Sequence, residues 1–204
     1  MITLVLAFVF QRVVADSTEI HYARKDVKAL ISWCDAVRAP DDRLQCSYRL
    51  YPLTRDESLL ENLVTDLERP SARGLALLAG LWGFRATTSG RIGALRHGIR
   101  SQRLLDRARA LDPEDVFVRL VTAHSMIFKP RFVGGDPLEA ARLFAALAAD
   151  LERSPTPAIH PAEAWTWQWY ALALEKDGGA GALRTTLLSR KLPLLFREIL
   201  AADP

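Results

Sequence analysis

The stretch Ala108–Phe144, ARALDPEDVFVRLVTAHSMIFKPRFVGGDPLEAARLF, constrains this chain more than any other. An amphipathic helix ends at Leu111-Asp112-Pro113, a second helical run begins at once, and a glycine turn leads into a third. Pro113 cannot continue a helix, because its ring clashes with the carbonyl four residues back. Asp136, Pro137 and Glu139 then have the order of a capping box with proline at the first helical position. Short helices joined by tight turns can bury their apolar stripes only against one another. A chain written this way is expected to stack helix on helix.

The same punctuation runs through the rest of the chain. Thr18 to Val37 reads as a first helix, capped by Ser17 or Thr18. A second starts at Asp41-Asp42, carries Leu44, Tyr48 and Tyr51 on one side, and is expected to stop at Pro52. Asp56 to Glu68 has an amphipathic stripe of Leu59, Leu60, Leu63, Val64 and Leu67. Ser71 to Thr87 is apolar nearly all round, with Leu75, Leu77, Leu78, Leu81, Trp82 and Phe84, and belongs in the middle of the core. Arg91 to Leu111 follows, with Gly98 as a point of interruption, then Val116 to Phe128. After the Lys129–Gly135 loop, Asp136 caps a helix running to about Glu152. Pro161 to Lys176 and Ala180 to Ala201 close the chain around a Gly178-Gly179 turn. No alternating apolar and polar run argues for a sheet. The expected fold is all-α: antiparallel hairpins stacked in sequence order, about eight or nine helices in all.

Of the 204 residues half are apolar and a quarter charged, enough for one domain with a real core. The net charge is +3, and +2 once Arg12 is removed with residues 1–15, too little for a nucleic-acid footprint. Ile2 to Phe10 is an apolar run too short to span a bilayer, and Val13-Val14-Ala15 has small residues where a signal peptide is cut. No Lys or Arg precedes the run, and no Cys follows it directly to take a lipid anchor. We therefore expect residues 1–15 to be a signal peptide, residues 16–204 a single helical domain, and the protein periplasmic or secreted. Cys34 and Cys46 lie six residues either side of Pro40. Across a helical hairpin they would face each other, as a disulfide or as two buried thiols.

From about Arg91 onward the chain resembles the tetratricopeptide repeat family. Ala108 and Pro113 match the end of one unit, Ala123 the small position of the next first helix, and Ala140 and Phe144 its second helix. Trp167, Tyr170, Ala171, Leu174 and Gly178 match a last unit. Arg119 stands where an aromatic is usual, and Leu183 and Arg190 replace small residues. The resemblance implies a short α-solenoid, with 16–90 as divergent helices and 91–204 as recognisable repeats, binding a partner on a concave face. The Lys129–Asp136 loop looks like one in exported bacterial proteins of this kind, some of them accessory to periplasmic solute transport.

No catalytic signature is present: no nucleophile elbow, no phosphate loop, no HExxH. His21, His97, His124 and His160 are far apart, so no metal and no cofactor is expected. Gly134-Gly135-Asp136 is read as a helix cap before it is read as an ion-binding loop. Three sets of residues suit binding. Arg96, Arg100, Arg103 and Arg107 form one basic stripe, a cradle for carboxylates or a solvated face. Trp165 and Trp169 share a helix face opposite Trp167, as a ligand surface or as filler between terminal helices. Lys129, Arg131 and Phe132 are expected at the end of a groove. These features suit a non-catalytic envelope scaffold that binds a protein, a peptide or a small apolar ligand. The alternative is a helical envelope enzyme whose acid and base are scattered; two close carboxylates, or one beside His124 in a pocket, would favour it.

Overall fold

The computed structural model describes residues 18–202; the expected signal segment, 1–15, lies outside the described residues. The described residues form helices joined by turns and loops, with no strand among them. They begin in α1 (residues 18–23) and continue through α2 (Val27–Ala36), α3 (Pro40–Thr54), α4 (Ser58–Glu61), α5 (Ala72–Thr88) and α6 (Arg91–Leu111). Then come α7 (Val116–Phe128), a 3₁₀ turn at Arg131–Val133, α8 (Pro137–Arg153), α9 (Pro161–Leu174), α10 (Gly179–Leu188) and α11 (Leu194–Ala201). None of these helices is long and apolar enough to cross a membrane.

Several boundaries have clear local causes. Ser71 Oγ accepts from the Gly74 N–H at 2.8 Å, Asp115 accepts from Phe117 and Val118, and His160 Nδ1 accepts from Ala162, each satisfying orphan donors of a first turn. Others correct the sequence reading. The expected helix Thr18–Val37 is two helices, because Lys25 turns left-handed (φ 56°) and Asp26 caps Ala29. Pro52 does not end α3. It sits within the last turn, which closes instead at Arg55 (φ 56°). Of the expected helix Asp56–Glu68 only Ser58–Glu61 is helical. Side chains of α5 capture the carbonyls that would continue it: Arg85 donates to the Leu60 and Glu61 oxygens, and Trp82 Nε1 to Val64 O at 3.1 Å. Gly98 does not interrupt α6. The last expected helix, Ala180–Ala201, breaks between Leu188 and Leu194, where Pro193 cannot donate an intrahelical bond.

Helix α5 is the centre of the packing, in contact with α3, α4, α6 and α7. Its Leu75, Leu77, Leu78 and Leu81 are fully buried, as its all-round apolar sequence implies. Beyond sequence neighbours, α3 touches α5, α5 touches α7, α7 touches α9, and α9 touches α11. The described even-numbered helices from α4 to α10 share no comparable contacts with one another. The chain thus zigzags between a continuous odd-numbered layer and a set of separated even-numbered helices. A second apolar cluster, around Tyr22, Leu30, Trp169 and Phe196, joins α1 and α2 to α9 and α11.

Cys34 on α2 and Cys46 on α3 are bridged, with Cα atoms 5.7 Å apart. The twelve-residue separation makes the closed loop short, and the chain-entropy model gives about 3 kcal/mol for it. Replacing both cysteines by serine should lower unfolding stability by about that amount in urea denaturation. A double variant as stable as the parent would show that the bridge is not formed in solution.

Candidate functional site

The four arginines of the α6 stripe have different surroundings. The Arg100 guanidinium lies 4.8 Å from the centre of the Trp82 ring, and Arg107 Nη1 holds both oxygens of Asp66 at 2.8 Å. Arg96 and Arg103 project into solvent, without a hydrogen bond or ion pair to any described residue, as does Arg91 at the start of the helix. Leu104, Leu105 and Ala108 are buried, but Leu95 and Ile99 are not; with Ile92 they form an exposed apolar stripe between these cations.

The tryptophans mostly fill space. Trp169 is only 2% exposed, so it offers no ligand surface; the Arg184 guanidinium sits 5.3 Å from its ring. Trp165 is half-buried beneath Arg190, 4.3 Å away. Trp167, on the other side of α9, meets His124 at 4.6 Å, with Phe128 and Tyr170 around it.

The Lys129–Asp136 loop is a clasp with one exposed tip. Lys129 bonds Gln102 of α6, and Arg131 pairs with Glu175 at the end of α9. Both basic side chains have a polar partner within the chain, and Arg131 keeps most of its side chain in solvent. Phe132, in contrast, is 89% exposed. The chain reverses at Gly134 (φ 91°), and the Asp136 N–H returns to Met126 O at 2.9 Å. Asp136 caps α8, its carboxylate accepting from the Glu139 N–H at 3.0 Å. The reciprocal half of the capping box is absent, because Glu139 pairs with Arg142 instead.

The most concentrated polar chemistry was not visible in the sequence. Arg49 on α3 is fully buried between two buried carboxylates. Its Nη1 and Nη2 fork onto Glu163 of α9 at 2.6 and 2.9 Å, and Nη2 meets Glu19 of α1 at 2.8 Å. Tyr22, Tyr48 and Phe117 present their rings at 4.4, 5.7 and 5.4 Å. Glu19 also accepts from the His160 N–H. Burial, with Glu163 adding its charge, outweighs Arg49 and pushes the Glu19 carboxyl up to about 8. The two carboxylates share Arg49 in a buried interior. His124 hydrogen-bonds the Tyr48 hydroxyl at 3.0 Å, and burial drives it down to about 3, so it is neutral. One cue was available: Arg49 falls among Gln45, Cys46, Tyr48 and Leu50 on the inward side of α3, where a charge needs a partner. Among the described residues no cluster of three His, Cys, Asp or Glu could hold a metal ion.

Two predictions follow from this geometry. A Cβ on Gly135 would lie 2.0 Å from the Lys129 carbonyl oxygen, so Gly135→Ala must shift backbone. It should cost more than Asp136→Ala, which removes a cap worth about 1 kcal/mol; chemical denaturation of the two variants compares them. The second concerns pH. Folded Glu19 keeps a proton that the unfolded chain releases above 4.5, so stability falls as pH rises from 4.5 towards about 8. Folded His124 stays neutral while the unfolded chain gains a proton below 6.5, so stability falls as pH drops from 6.5 towards about 3. The slopes offset each other between 4.5 and 6.5, leaving a plateau. Glu19→Gln should abolish the decline between pH 6.5 and 8; a parent protein showing no such decline would mean that Glu19 is ionised in the fold.

Comparison of the chain with protein-family models, with curated proteins and with solved structures finds no match in any of the three.

Proposed function

We propose that this protein is a non-catalytic, tetratricopeptide-like scaffold of the cell envelope that binds a protein partner through its surface. One observation carries the reading: helices α3, α5, α7, α9 and α11 contact one another in series while the even-numbered helices from α4 stand apart. That zigzag is what stacked helical hairpins produce, and such stacks work by presenting surface. The buried acids and Arg49 are consumed by one another, which favours surface recognition over interior chemistry. Export rests on the apolar run Ile2–Phe10 and the Val13-Val14-Ala15 site, and a role beside periplasmic solute transport rests on the loop resemblance alone.

A helical enzyme is the second reading, because Glu19 and Glu163 share Arg49 and Glu19 holds a proton near neutral pH. Site-specific photo-crosslinking in the native host separates the two. We expect one protein to be trapped from a contiguous set of exposed positions, and the mature chain to begin at Asp16. A chain that traps no protein from any face, or that retains Met1, overturns the corresponding part of the proposal.

A further inference from the structure

We propose that the outward face of α6 docks an acidic amphipathic helix of a protein partner. This deepens the scaffold reading and rests on it. Ile92, Leu95 and Ile99 stand at i, i+3 and i+7, so they share one face of the helix. They are 87%, 63% and 45% exposed. Exposed aliphatic residues are ordinary singly; three in register on one helix form a surface.

The open side of α6 suits a helix. α6 packs chiefly on α5 and only slightly on α7, whereas α5, α7 and α9 each touch three or more helices. Its apolar stripe already has the period that helix ridges and grooves use to interlock. Charge then selects the occupant. Arg96 and Arg103 flank the stripe on one side and Arg91 on the other, and none has an acidic partner among the described residues. Guanidinium groups fixed along a helix suit carboxylates that recur along a second helix. A second copy of this chain would bring the same three cations against them, which is repulsive. A lipid surface would accept the aliphatics and the arginines, but Asp106 lies at i+7 from Ile99 on the same face and would meet the headgroup phosphates. A partner helix can stop short of Asp106 or offer it a cation.

The test uses the full chain and two labelled designed peptides, both helical with leucine at i, i+3 and i+7. One carries flanking glutamates and the other flanking lysines. Fluorescence anisotropy should show the acidic peptide binding and the basic one not. Ile92→Ser with Leu95→Ser should weaken binding by about tenfold or more, with thermal unfolding unchanged because both residues are exposed. Arg96→Glu with Arg103→Glu should reverse the preference towards the basic peptide. The proposal fails if the peptides bind alike or not at all. It fails in favour of lipid if the serine pair instead abolishes adsorption to phosphatidylglycerol vesicles. It fails in favour of self-association if the serine pair dissolves a dimer seen by sedimentation. If the photo-crosslinked partner is still trapped by the serine pair, the scaffold reading stands and only the α6 site is lost.

Discussion

Arg49 holds the two ends of the described chain in register. A guanidinium cannot be taken out of water without carboxylates and rings to replace the solvent it loses. Here Glu163 supplies a two-point fork from α9, Glu19 a second carboxylate from α1, and Tyr22, Tyr48 and Phe117 the surrounding faces. Moving α1 or α9 away from α3 would take a carboxylate from the buried Arg49. The apolar cluster of Tyr22, Leu30, Trp169 and Phe196 assembles around the same junction, and the Cys34–Cys46 bridge fixes α2 onto α3 beside it. Two acids share one guanidinium in a dry interior, and burial pushes the Glu19 carboxyl up to about 8.

Local chemistry was legible in the sequence where it decided the outcome. The capped and proline-started helices α8 and α9 begin where Asp136-Pro137 and His160-Pro161 place them, and the all-round apolar α5 sits in the core. Where a distant side chain decided, the reading failed. The stripe Leu59 to Leu67 has helical spacing, but Arg85 and Trp82 of α5 take the carbonyls that a helix would need. The Arg49 cluster spans sequence separations of up to 114 residues between Arg49 and Glu163, and no periodicity reports such a pairing. Glu163 resembles an ordinary acidic residue in a first helical turn until the fold turns it inward.

The binding surfaces expected from the sequence thinned for the same reason. Basic and aromatic residues that look available on a helical projection find partners in three dimensions: Arg100 with Trp82, Arg107 with Asp66, Arg131 with Glu175, Trp169 with Arg184. Long side chains spread over neighbouring rings and carboxylates whenever one lies within reach. What stays unpartnered after those pairings is a smaller and more specific set than composition alone suggests.

The α6 stripe stays exposed because of what faces inward. In its first two turns the inward and flanking positions are Gly93, Ala94, His97 and Gly98, small residues apart from the imidazole that lies against Trp82. Ser101 then donates to the Ala79 carbonyl at 2.7 Å, which requires the two backbones to approach closely. The large aliphatics of these first turns point away, while Leu104, Leu105 and Ala108 further along α6 face the core. Hydrophobic periodicity assumes that the bulkiest residues face the core. In the first two turns of α6 that rule fails, and the face carrying Ile92, Leu95 and Ile99 is the one with apolar surface still to bury.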